Sequence, residues 1–79
     1  MSDYSVFKTL DYKGLKCPMP IVKISQEMPK LKVGDVVEVL TTDPGSLSDF
    51  PAWAKSSGNE VLETKQETGL IRIFVRRKK

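Results

Sequence analysis

Histidine is absent from this 79-residue chain, and cysteine occurs once, at position 17. One cysteine cannot close an intramolecular disulfide, which excludes the stapled frameworks of small secreted domains. A structural zinc site needs about four ligands, mostly cysteine and histidine, and the chain cannot supply them. Without histidine there is no Cys–His pair of the protease kind, so acid–base help could come only from carboxylates, lysines or tyrosines. No apolar run approaches the roughly 20 residues of a membrane-spanning helix. Residues Met1 to Leu10 are polar and hold no apolar block of the kind a secretory leader needs. The setting expected by default is reducing and cytoplasmic.

What is present suits one small domain, residues 1–79, with its core between about 5 and 77. A chain of this size buries only about 60% of its unfolded surface. That leaves little room for a deep pocket of several hundred Å³, the usual size of a small-molecule site. Chemistry is therefore expected at the surface, with another macromolecule. Hydrophobic residues make up 39% of the chain, ordinary for a globular protein. The net charge is +3, too small to imply nucleic-acid binding by itself. Five basic residues (Arg72, Arg76, Arg77, Lys78 and Lys79) crowd one end. Such a cluster could meet phosphate or an acidic partner, but a solvated strand edge guarded by charge is the simpler reading.

The pattern of apolar residues predicts six elements. Ser5 to Asp11 reads as a strand carrying Val6, Phe7 and Leu10. Pro18 suits the first position of a helix, and Pro20 still falls within the first turn. Ile21, Ile24, Met28 and Leu31 then recur at helical spacing, and Pro29 ends the helix near Met28. Asp35 to Thr41 reads as a second strand. Asp43-Pro44-Gly45 is a turn, and Ser46 with Asp49 resembles a capping pair for a second helix. That helix carries Leu47, Phe50 and Ala54 on one face with Trp53 beside them. Pro51 suggests an irregular first turn, and Gly58 a C-terminal cap. Asn59 to Thr64 is a third strand, Glu67-Thr68-Gly69 a hairpin connection, and Leu70 to Arg76 a fourth strand of clear alternation. The order β-α-β-α-β-β predicts an α/β two-layer sandwich, with two helices on one face of a four-stranded mixed sheet.

One constellation carries chemistry. Cys17 stands directly before Pro18-Met19-Pro20, at a helix start. A helix N-terminus carries partial positive charge and free N–H groups, and both favour the thiolate, the form that attacks sulfur. Lys16 pushes the same way, and Lys13 could add to it. Pro18 and Pro20 stiffen the turn. A buried, inert cysteine is the competing reading, since most free cysteines pack as small hydrophobes. A thiol with no base and no deep pocket suits exchange between thiols, a carrier's role more than a hydrolase's.

The residues Leu10-Asp11, Gly14-Leu15-Lys16 and Cys17-Pro18-Met19-Pro20 resemble the signature of the TusA/SirA family. The resemblance continues through Val33-Gly34-Asp35, Thr42-Asp43-Pro44, Asp49-Phe50-Pro51-Ala52-Trp53 and Gly58-Asn59-Glu60-Val61-Leu62, covering about Thr9 to Arg76. It implies the same two-layer sandwich. It also implies a sulfurtransferase-type carrier whose cysteine, here Cys17, accepts sulfane sulfur as a persulfide, with no metal or organic cofactor. The donor it implies is a cysteine desulfurase or rhodanese, and the acceptor a further relay protein. The pathways it implies are tRNA thiolation, molybdenum-cofactor biosynthesis and sulfur oxidation. Asp43 matches an acidic position of the family, and turn formation explains it equally well. Met19 stands where well-known tRNA-thiolation members carry an acid, and Ala54 where many relatives have a second cysteine.

Two other functions fit the residues less well. A non-catalytic RNA-binding or regulatory module could use the basic C-terminal strand, but the chain shows no clustered aromatics for base stacking. A redox sensor at Cys17 would lack a resolving cysteine.

Overall fold

The computed structural model describes residues 5–16 and 18–79. The chain forms β1 (Val6–Asp11), α1 (Met19–Glu27), a 3₁₀ turn (Met28–Lys30), β2 (Val36–Thr41), α2 (Ser46–Ser57), β3 (Glu60–Glu67) and β4 (Leu70–Arg76). The sheet order is β1-β2-β4-β3. β1 runs parallel to β2, and β4 is antiparallel to both β2 and β3. Two helices pack on this four-stranded mixed sheet, as the apolar pattern predicts.

The core lies between the helices and one sheet face. β2 contributes Val37 and Val39, and β4 contributes Ile71, Ile73 and Val75. Ile24 and Met28 close it from the first helical segment, and Phe50 from α2. Phe50 is fully buried and meets Trp53 edge-on, with ring centroids 6.2 Å apart. The helix ends follow from backbone chemistry. Pro29 cannot donate within a helix, so α1 tightens into the 3₁₀ turn. α2 ends at Gly58, whose φ of 79° is the left-handed conformation that favours glycine.

Three local expectations need correction. Pro18 is not the first helical residue but the one before it, with ψ near 14°. Ser46 is not a cap: it lies inside α2, buried, with its hydroxyl 3.3 Å from that of Thr41. The cap position is Gly45, with no side-chain cap bond, and Asp43 builds the turn that leads into it: its Oδ1 accepts the Gly45 N–H at 3.0 Å and its carbonyl accepts the Ser46 N–H. β3 extends to Glu67, beyond Thr64, because backbone pairing with β4 holds Lys65, Gln66 and Glu67 despite their weak strand propensity. Pro51 sits within α2 on its exposed side, so its missing N–H costs one hydrogen bond without ending the helix.

Charged side chains cover the sheet face away from the helices. Glu38 accepts from Thr9 Oγ1 at 3.1 Å and from Arg72 at 2.9 Å, and Arg72 also pairs with Glu67 at 2.7 Å. Lys65 Nζ stands 5.5 Å above the Phe74 ring. Long stems of this kind exclude water while keeping their charges wet. Phe74 and Val36 are accordingly buried on a face that carries no helix among the described residues.

Candidate functional site

The site is built where β1 and β2 end and both helices begin. Tyr12 continues β1 by donating its N–H to the Leu40 carbonyl. Its own carbonyl accepts the Leu15 N–H. Asp11 Oδ1 takes the Lys13 N–H at 3.1 Å, which gives the aspartate of the Leu10-Asp11 pair a turn-forming role. Gly14 follows with φ of 83°. Its N–H donates to Thr42 Oγ1 at 3.1 Å, across 28 positions of sequence. Lys16 then accepts the Met19 N–H at 2.8 Å, and α1 begins.

Cys17 itself lies outside the described residues, and so do residues 1–4. Of the other anticipated site residues, Lys16 and Asp43 line one open cleft of about 420 Å³, together with Gly14, Leu15, Thr42 and Pro44. This volume exceeds what the small core leads one to expect, because two loops build the cleft, not the core. Pro18 is exposed, whereas Pro20 is fully buried and anchors the first turn of α1. Asp43 is a structural hub: besides building the turn into α2, it donates its N–H to Thr41 Oγ1 at 3.2 Å.

The free N–H groups expected at the start of α1 are not there among the described residues. Pro18 and Pro20 have none, Met19 donates to the Lys16 carbonyl, and Ile21 donates to the Pro18 carbonyl. The helix dipole remains available to favour an anion, but those backbone donors are already used. Met19 and Val22 are 42% and 39% exposed on the first turns of α1. No acidic residue stands between Asp11 and Glu27, whereas Lys13, Lys16 and Lys23 do. Ala54 is buried on the inner face of α2.

Tyr12 is the buried titratable group of this region. Burial, aided by the nearby Glu27 carboxylate, pushes its phenol from 10.0 up to about 12. Glu27 in turn is held below its ordinary range, chiefly by a hydrogen bond from Lys8 at 3.0 Å. For Tyr12 the unfolded phenol ionises near 10 and the folded one near 12. Its contribution to stability is therefore complete below about pH 10 and is lost between about pH 10 and 12. Thermal melts across that interval should fall more steeply for the wild type than for Tyr12→Phe. Parallel curves would mean that the phenol is not held neutral by the fold.

The C-terminal basic cluster is largely committed inside the protein. Arg72 pairs with Glu38 and Glu67, Arg76 and Lys78 with Glu60, and Arg77 donates to the carbonyls of Leu31 and Lys79. These contacts favour a bracing role over a phosphate-binding stripe. The contact between Thr42 and Gly14 is the feature of this site that the sequence does not flag. Thr42 stands in the Thr42-Asp43-Pro44 motif, but its partner Gly14 is remote in sequence.

The arrangement defines a small α/β sandwich with a loop-built cleft beside the first helix start. A SirA-like protein of Desulfitobacterium hafniense shares this fold, with a TM-score of 0.77 at 24% identity, covering 91% of this chain and 99% of that one. A family model described as Sulfurtransferase TusA matches residues 8–77. The sulfur carrier protein TusA of Allochromatium vinosum is 39% identical over 77 residues, 98% of this chain and 99% of its own. YrkF of Bacillus subtilis, described as a sulfur carrier, is 53% identical over 68 residues. This chain spans 86% of itself in that match but only 37% of the length of YrkF. The chain belongs to the TusA sulfurtransferase family.

Proposed function

We propose that the chain carries sulfane sulfur as a persulfide on Cys17 and passes it from a donor protein to an acceptor protein. The observation that carries this reading is the likeness to a full-length sulfur carrier in a chain that holds one cysteine. If sulfur is held on a thiol, Cys17 is the only place in this sequence to hold it. The Cys17 thiolate attacks the terminal sulfur of the donor persulfide. A new S–S bond forms at Cys17, the donor's S–S bond breaks, and the donor leaves as thiolate. Release is the same exchange in reverse roles: the acceptor's thiolate takes the terminal sulfur and Cys17 leaves as thiolate. No net oxidation occurs, so no redox cofactor is needed.

The donor is proposed to be of the cysteine desulfurase or rhodanese type. The acceptor is the next protein of a sulfur relay serving tRNA thiolation, molybdenum-cofactor biosynthesis or sulfur metabolism. The exposed Met19 and Val22 among lysines suit contact with a protein surface, and Lys16 supplies positive charge next to the thiol. The proposed setting is the cytoplasm, where a lone thiol stays reduced. The test is intact mass spectrometry of the reduced protein after incubation with a persulfide-loaded donor or a sulfane-sulfur salt. The expected result is a gain of one sulfur atom, reversed by reductant. No gain with several donors, from a thiol that still alkylates readily, would sink the proposal.

A further inference from the structure

Leu15 packs the loop that precedes Cys17 against the core, but the hydrogen bonds of that loop are mainly to itself. Lys13 bonds to Asp11, Leu15 to Tyr12, and Met19 to Lys16, all within a few residues. Among the described residues, the hydrogen bond that ties residues 13–16 to a distant segment is Gly14 N–H to Thr42 Oγ1 at 3.1 Å. Three positions separate Gly14 from Cys17. The φ of 83° at Gly14 fixes the direction in which the chain leaves this contact.

Thr42 stands on a rigid base. Thr41, directly before it, is fully buried at the end of β2, and its hydroxyl contacts that of buried Ser46 at 3.3 Å. The same Thr41 hydroxyl accepts the N–H of Asp43, directly after it, at 3.2 Å. Asp43 is fixed in turn by accepting the N–H groups of Gly45 and Ser46 in the turn that leads into α2. The backbone on both sides of Thr42 is therefore locked, while the Thr42 side chain is exposed and clear of the core.

We propose that Thr42 is a positioning residue for sulfur transfer: its hydroxyl fixes the Lys13–Lys16 loop and so limits the directions open to the residue that follows. This rests on Cys17 being the sulfur-bearing residue. Exchange between thiols requires the attacking, central and leaving sulfurs to approach alignment, so a loosened loop lowers the fraction of productive encounters. The loss falls on the rate of transfer, not on affinity for a donor. Stability changes little, because an exposed hydrogen bond is exchanged for one to water.

The experiment compares the wild type, Thr42→Val and Thr42→Ser, loading each from glutathione persulfide and following sulfur gain by quenched intact mass. Valine keeps the shape and removes the acceptor oxygen, whereas serine keeps the oxygen. The expected limiting rate for Thr42→Val is about fivefold below wild type, a small part of the loss that misoriented reacting atoms can cause. The donor concentration at half-maximal rate should not move. Thr42→Ser should load within about twofold of wild type, with all three thermal midpoints inside about 4 °C. A wild-type limiting rate in Thr42→Val, or a serine variant as slow as the valine one, would overturn the inference. Failure of the wild type itself to gain sulfur would instead overturn the Cys17 reading, and the positioning role with it.

Discussion

Cys17→Ser is expected to abolish sulfur loading altogether while the protein still folds. Serine is nearly isosteric with cysteine, but its oxygen does not form a persulfide and is almost wholly protonated at neutral pH. With no second cysteine in the chain, no other thiol can take over. The chain neighbours of this position, Lys16 and Pro18, are both exposed. Thermal midpoints of the two proteins should therefore agree within about 4 °C. Mass spectrometry of both proteins after the same donor treatment decides the matter. Residual one-sulfur gain in the serine variant would place the sulfur elsewhere. Collapse of its thermal transition would make Cys17 a structural residue.

Phe50→Ala is expected to produce the largest loss of stability. The ring is fully buried between α2 and the sheet, and its edge contact with Trp53 orients both side chains. Truncation of a buried phenylalanine costs about 3–5 kcal/mol, part of it for the cavity left behind. A domain of this length has only about 4–12 kcal/mol in total. The variant should lose about 15–25 °C in thermal midpoint, or its cooperative transition entirely, when followed by far-ultraviolet circular dichroism. A drop below about 5 °C would show that the core closes around the missing ring.

Much of the fold is legible in the sequence because periodicity reports directly on which side of an element is dry. Ile71, Ile73 and Val75 alternate in β4, and all three are buried. Ile24 and Met28 in the first helical segment, and Phe50 and Ala54 in α2, fall on the faces their spacing assigns them. The chemical candidates Lys16, Pro18, Pro20 and Asp43 come from composition around one cysteine and from resemblance, and the structure brings Lys16 and Asp43 to one cleft. The exact use of each is not legible. Ser46 looks like a cap because serine with an acid three residues on usually is one. Here burial of its hydroxyl against Thr41 takes precedence, and Gly45 takes the cap position with no side-chain cap bond. The polar half of β3 looks like a loop because Lys65, Gln66 and Glu67 have low strand propensity. β4 supplies the hydrogen bonds that make it a strand.

The sequence by itself determined the element order, the apolar faces, the lone thiol and the proline-stiffened start of α1. Each is a local property, set by side-chain period, backbone restriction or the presence of a single residue. Only the tertiary structure decided that β4 would pair with β2, that Lys16 and Asp43 would share a cleft, and that Thr42 would hold Gly14. These are contacts between segments about 25 or more residues apart. Their partners are chosen by which layers close over the core, and no local pattern in the chain encodes that choice.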